Sequence, residues 1–132
     1  MKYLFDTHAW FWALENPAKL PLKVRRLLNR SDDAPYGLCA ISLWELAKLV
    51  QKGRIRLTLP LQEWMERALD ADWIEIQPLS RDVAIESVSL PEKFHADPAD
   101  ELIVATARLC NATLITADEQ LQAYPHVKTL WD

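Results

Sequence analysis

The side chains with the most chemical potential in this chain are four carboxylates, Asp6, Glu45, Asp100 and Asp118. Asp6 follows the apolar Tyr3-Leu4-Phe5, Glu45 comes shortly after the apolar run Gly37-Leu38-Cys39-Ala40-Ile41, and Asp118 follows Thr113-Leu114-Ile115-Thr116. A carboxylate delivered by a buried strand is costly to leave unpaired. If the four converge, cations bound among them relieve their repulsion, and the positive N-termini of helices offset part of it. Oxygen donors without a matching set of His or Cys suit Mg²⁺ or Mn²⁺ better than zinc. Such ions clamp a phosphodiester, activate a water and stabilise the leaving oxygen, often as a pair separated by about 3.5 to 4 Å. No nucleophilic side chain is then required.

Each acid also has a simpler reading as a helix cap or dipole partner. Ser42-Leu43-Trp44-Glu45 fits a capping box, and Thr116-Ala117-Asp118-Glu119 fits a second. Asp97-Pro98-Ala99-Asp100 offers a capping Asp, Pro at the first helical position and an acid three residues on. Asp6 leads the set because a strand end leaves it little alternative use. Asp100 follows because Asp97 is free to cap its helix, whereas helix starts alone account for Glu45 and Asp118.

The elements that must position these acids alternate along the chain. Strands are expected at Lys2 to Phe5, Gly37 to Ile41, Trp73 to Ile76, Thr113 to Thr116 and, more weakly, Val127 to Leu130. Helices are expected from about Ala9 to Leu14, Pro21 to Arg30, Ser42 to Gly53, Leu61 to Leu69, Ser80 to about Leu90, and Asp97-Pro98 to Cys110. The last is apolar almost all round, which predicts a central, buried helix. Short apolar strands alternating with helices predict an α/β fold, with a parallel sheet of four to five strands covered on both faces and right-handed crossovers. Sites in such sheets form beyond the carboxyl ends of the strands. Asp6, Glu45 and Asp118 should therefore share one edge.

With 132 residues, half of them apolar and 26% charged, the chain is expected to form one folded domain over residues 1–132. No apolar run approaches the ~20 residues of a membrane span, and an acid interrupts the apolar start, so a cytoplasmic protein is expected. Cys39 and Cys110 lie in apolar runs and read as buried reduced thiols. A net charge of −4 argues against a large basic nucleic-acid surface, so any such contact must be local. Of the six tryptophans, Trp10, Trp12, Trp44 and Trp64 fall on expected helices, where core packing is preferred over a partner surface.

These segments together resemble the PIN-domain nucleases and, within them, VapC-type toxins of toxin–antitoxin pairs. The likeness rests on Leu4-Phe5-Asp6-Thr7-His8, Ile41-Ser42-Leu43-Trp44-Glu45, Phe94-His95-Ala96-Asp97-Pro98-Ala99-Asp100 with Ile103-Val104-Ala105-Thr106-Ala107, and Leu114-Ile115-Thr116-Ala117-Asp118. Each segment is weak alone; four in this order, spanning nearly the whole chain, are fairly specific. The resemblance implies a three-layer α/β/α fold, a Mg²⁺- or Mn²⁺-dependent endoribonuclease, a homodimer and a small antitoxin that blocks the site. It matches Asp6, Glu45 and Asp100 to the family's core acids and Asp118 to its more variable fourth one. Glu101 departs from the pattern, standing where relatives commonly carry a basic residue.

Thr7, Ser42 and Thr116 stand beside the acids, where a hydroxyl can hold water or phosphate, although capping alone accounts for Ser42 and Thr116. Asp97 either supports the site or simply caps its helix. His8, His95 and His126 are available as bases, but two-metal chemistry requires none, and they stay outside the candidate set. Lys48, Lys52, Arg54 and Arg56 form the densest basic patch, with Lys23, Arg25 and Arg26 as a second; either can guide RNA or be a solvated face. A phosphotransferase of the haloacid dehalogenase type would want a second Asp where His8 stands. A receiver-like module would want paired acids after the first strand and a later Lys. The main non-enzyme rival is a PIN-like binding module that has lost activity; a PIN nuclease outside toxin–antitoxin systems is the other alternative.

Overall fold

Side-chain alternation along the central strands builds the two faces of the protein. In β1 (Tyr3–Phe5), Phe5 enters one hydrophobic core and Leu4 the other, both fully buried. Leu38 and Cys39 of β2 (Tyr36–Cys39) divide in the same way, as do Ile115 and Leu114 of β4 (Thr113–Ile115). Two cores fed by alternate residues require helices on both faces. With β3 (Ile74–Gln77) and β5 (Thr129–Leu130) at the edges, the sheet has the order β3-β2-β1-β4-β5, every pair being parallel. The register sets Phe5 beside both Leu38 and Ile115, so the residues that follow emerge at one edge.

The computed structural model describes residues 1–92, 94 and 97–132, so His95 lies outside the described residues. One face carries α1 (Thr7–Glu15), α2 (Leu22–Arg30) and α4 (Leu61–Ala68), whose Trp10, Val24, Leu27 and Trp64 pack with Leu46 of α3 (Ile41–Gln51). Trp10 and Trp64 meet edge to face at 5.1 Å, and the Trp10 indole donates to the Ala68 carbonyl. Each such fully buried side chain contributes roughly 1.5–3 kcal/mol. On the other face, α6 (Pro98–Leu109) buries Ile103, Val104 and Ala107, with Leu121 of α7 (Glu119–Ala123) beside them and α5 (Arg81–Ser87) packed on α6. The expected three-layer α/β/α architecture and central α6 are what the structure has.

Several boundaries differ from expectation. The first helix begins at Thr7 rather than near Ala9, because Asp6 caps it, and the third begins at Ile41 rather than Ser42, because Ala40 already has helical backbone angles. The fifth helix ends at Ser87, and the fifth strand keeps only Thr129 and Leu130. The 3-10 turn at Pro17–Lys19 is an element the pattern does not indicate; the helix start indicated at Thr116 falls two residues later, opening α7, which is five residues long with a single buried residue, Leu121. Cys39 is buried as expected, whereas Cys110 is only half-buried; both are free. Trp44 departs from the core reading, at 56% exposure. Among the described residues, no helix is long and apolar enough to cross a membrane.

Candidate active site

The three central strands end side by side, and each hands the chain to a segment carrying an acid. β1 ends at Phe5, and Asp6 caps α1 by accepting from the Ala9 amide at 2.8 Å. β2 leads through Ala40 into α3, whose second turn carries Glu45. β4 leads to Thr116 and then Asp118, which caps α7 by accepting from the amides of Gln120 at 2.8 Å and Leu121 at 3.3 Å. Asp97 caps α6 through the Asp100 amide at 2.8 Å, leaving the Asp100 carboxylate without a capping task. A cleft of about 390 Å³ is lined by Asp6, Thr7, His8, Trp12, Glu45, Asp97, Asp100, Ala117 and Asp118. All four candidate acids therefore reach one cavity.

Two of the three hydroxyls hold carboxylates directly, and the third backs one of those two. Thr116 is buried; its hydroxyl donates to Asp6 and accepts from the Asp118 amide at 3.0 Å, tying two acids through one side chain. Thr7 donates to Glu45 Oε1 at 2.5 Å and lies 2.9 Å from the Ser42 hydroxyl, itself fully buried. Neither Ser42 nor Thr116 is a cap: Ser42 lies inside α3, and the cap of α7 is Asp118. The capping alternative offered for these hydroxyls and for Glu45 thus fails, because both helices start at a different residue from the one the capping-box pattern indicates. Asp6, expected to have no such task, is a cap.

The electrostatics follow from burial and from mutual repulsion. Burial pushes Asp6 up from 3.8 to about 6 against the pull of its Thr116 and Ala9 hydrogen bonds, and Asp118 adds to the rise. Asp100 is pushed up to about 7, first by burial and then by Asp97, Glu45, Asp118 and Asp6. Glu45 is also raised by burial; the Thr7 bond opposes this, Asp97 and Asp6 reinforce it, and His8 pulls the other way. Among the described residues, no Lys, Arg or His forms an ion pair with any of the five acids. Among the described residues, no three carboxylates, imidazoles or thiols are grouped closely enough to hold a metal ion by themselves. The donor set nonetheless fits a hard, well-hydrated divalent cation, which takes few protein oxygens and retains water.

His8 and Trp12 line the cleft and were not among the sequence candidates; their rings lie 5.6 Å apart one turn along α1. A helix starting at Thr7 is the signal that would have placed them there. Of the basic candidates, Lys48, Lys52 and Arg54 border a smaller hollow next to the cleft, while Arg56 lies apart, on a groove with Val50, Ile55, Leu57, Leu59 and Leu61. Lys23, Arg25 and Arg26 are exposed on α2 and do not line the cleft.

A five-stranded parallel sheet with acids at the exits of its three central strands defines the protein as an α/β protein of PIN type. The PIN domain model matches residues 3–127, and the chain belongs to the PIN-domain family. It is 32% identical over 130 residues to ribonuclease VapC22 of Mycobacterium tuberculosis, covering 97% of each chain. Among solved structures, it superposes with a TM-score of 0.73 on a chain of VapBC2 from Rickettsia felis bound to a promoter DNA fragment, at 21% identity and full coverage of both chains. A chain of a toxin–antitoxin complex from Klebsiella pneumoniae gives 0.67 at 22% identity, with coverage of 96% and 95%. These two superpositions establish the fold.

Proposed function

We propose that the protein is a divalent-metal-dependent endoribonuclease and the toxin of a toxin–antitoxin pair. The observation that carries the reading is a cleft with four acids from three strand exits and one helix start, three of which, Asp6, Glu45 and Asp100, are raised by burial and by neighbouring carboxylates, and none of which is paired with a cation of the described residues. Similarity to a VapC ribonuclease over nearly the whole chain supports it. Asp6, Glu45, Asp100 and Asp118 would hold Mg²⁺ or Mn²⁺. When bound, such an ion neutralises the phosphodiester and makes water a competent nucleophile at neutral pH. Thr116 and Thr7 orient Asp6 and Glu45, and Ser42 supports Thr7 from below. Asp97 holds the first turn of α6 and adds negative charge beside Asp100.

The basic residues Lys48, Lys52 and Arg54 next to the cleft supply the local attraction for RNA that a chain of net charge −4 otherwise lacks. The antitoxin would lay an amphipathic segment into an apolar groove, as peptides dock helix in groove, and bring a cation to the acids. The groove of about 440 Å³ lined by Val50, Ile55, Leu57, Leu59, Pro60 and Leu61 together with Gly53 and Arg56 offers aliphatic side chains to the apolar part and one cation beside them. A homodimer and a cytoplasmic location belong to the same proposal.

Purified protein is expected to cleave single-stranded RNA with Mg²⁺ or Mn²⁺ and to stop on addition of EDTA. Asp6→Asn and Asp100→Asn should each lower cleavage more than about 100-fold, beyond what loss of an outer partner to a metal ligand costs. A folded, metal-supplied wild type that leaves every RNA pool intact would overturn the enzyme reading.

A further inference from the structure

Among the tryptophans, tyrosines and phenylalanines of the described residues, Trp44 alone is exposed. Its position follows from helical geometry. Ser42 and Leu46, two residues to either side, are fully buried on the inner face of α3, and a step of two residues turns a side chain to the opposite face. The neighbouring Glu45 is turned into the acid cleft. The α3 backbone therefore carries, in consecutive positions, an exposed indole and an acid of the proposed active site.

The end of the same helix brings positive charge to that indole. Gly53, at a φ of 69°, takes the left-handed conformation that stops the helix, and the Arg54 amide returns to the Leu49 carbonyl at 2.9 Å. The chain folds back so that Lys48, Lys52 and Arg54 border a hollow of about 160 Å³ together with Trp44, Glu45 and Leu49. The Lys48 ammonium lies 5.9 Å from the centre of the Trp44 ring. A helix C-terminus favours cations, which accounts for the lysines but not for the exposed indole. The hollow shares Glu45 with the acid cleft, so the two adjoin at that side chain.

We propose that Trp44 is a base-stacking platform for a nucleotide of single-stranded RNA, with Lys48, Lys52 and Arg54 holding its phosphates and Glu45 joining this subsite to the cleavage cleft. An aromatic face bordered by cations binds unpaired bases by stacking and their backbone by charge, with little regard for sequence. A duplex, whose bases are already stacked, gains only the charge part. The acids repel phosphate and the basic rim attracts it, so the rim anchors a strand whose next phosphate lies at the cleft. The subsite rests on the ribonuclease reading for its place beside the scissile phosphate, but its affinity for RNA is measured separately from cleavage.

The test is fluorescence polarisation in EDTA with a fluorescein-labelled single-stranded RNA, alone and annealed to its complement. Trp44→Ala should weaken single-strand binding about tenfold, within the range for alanine substitution of stacking aromatics. It should barely affect the duplex, and Trp44→Phe should recover most of the loss. Lys52→Ala with Arg54→Ala should weaken both forms and flatten the salt dependence. In cleavage with Mg²⁺, Trp44→Ala should raise KM more than it lowers kcat, and one abasic position in the substrate should reproduce the defect in the wild type without adding to it in Trp44→Ala. Unchanged single-strand affinity in Trp44→Ala, equal losses on single strand and duplex, or no RNA affinity in the wild type would each overturn the subsite. The first of these would assign the indole to a protein partner. The enzyme reading is judged on cleavage alone, so either can fail without the other.

Discussion

At the amino ends of β4 and β5 lies a hollow of about 250 Å³, bordered by Glu86, Arg108, Asn111, His126 and Lys128, in which the long cations have partners. Arg108 Nε donates to Glu86 at 3.0 Å, its Nη1 to the His126 carbonyl at 2.6 Å, and Lys128 to Asn111 at 3.3 Å. At the carboxyl ends of β1, β2 and β4 lies the larger cleft, which five acids line and where none forms an ion pair among the described residues. Both concavities are polar and both belong to the same sheet. The difference is partnering: the amino edge gives its long cations hydrogen-bond or ion-pair partners within the chain, and the carboxyl edge leaves its acids without a cation among the described residues. An excess of like charge in a buried site destabilises the fold, so its presence points to a task other than stability.

The sharpest way to break this contrast is to remove one charge from the excess. Asp100 is pushed up to about 7, so at pH 8 it is mostly ionised in a site that disfavours the ion. Asp100→Asn should therefore lose more than about 100-fold in RNA cleavage while raising the thermal midpoint of the metal-free protein at pH 8. Cleavage assays beside calorimetry in EDTA decide the matter. A variant that loses stability along with activity would mean that the fold uses the Asp100 charge, and the two edges would then not differ in kind.

Proton linkage probes the same excess without mutation. Asp6 and Asp100 are raised to about 6 and about 7 and Glu45 is raised in the folded protein, whereas unfolded carboxyls titrate near 4. Between about pH 4 and 7 the folded state then binds more protons than the unfolded one, so their contribution to stability falls as pH rises through that window. In EDTA the midpoint should be lower at pH 8 than at pH 5 by about 5 °C or more. Added Mg²⁺ or Mn²⁺ should recover more at pH 8 than at pH 5. A midpoint that climbs across this window would show the acids to be compensated in solution.

The sequence pattern brought the acids to one edge of the sheet, as the structure has them. Among its readings it assigned the caps of α6 and α7 to Asp97 and Asp118, but it misplaced the starts of α1 and α3. Apolar triplets ending in Asp6 and in Thr116 place those residues at strand exits, and the alternation of short strands with helices makes the strands parallel; both properties depend on burial, which composition records well. Helix starts depend on one or two backbone angles, which it records poorly. Ser42 and Thr116 match a capping pattern, yet Ala40 is already helical and α7 starts two residues later than Thr116 predicts. Asp6, expected to be free of such duty, caps α1. The exposure of Trp44 was within reach, because the Leu43, Leu46, Ala47 and Val50 stripe leaves position 44 off the apolar face. Preferring core packing for the four helical tryptophans as a group concealed it.

The smallest expected effect comes from the edge whose long cations have partners, and it completes the contrast. Arg108→Ala removes both the Glu86 pair and the donor to the His126 carbonyl, leaving a half-buried carboxylate and a backbone oxygen to find water. The two side chains of the pair retain 29% and 24% of their exposure, so screening limits the loss to about 1–2 kcal/mol. Denaturant unfolding should show that loss as a lower midpoint with unchanged slope. Cleavage of RNA should stay at the wild-type level, since α6 enters the cleft at Asp100 and Arg108 lies two turns further along, at the opposite edge. The signs are then opposite at the two ends of one helix: deleting a charge at its start stabilises the metal-free protein and stops cleavage, and deleting one at its end destabilises the protein and leaves cleavage intact. A fall in cleavage in Arg108→Ala at temperatures where it remains folded would mean that the two edges are coupled through α6.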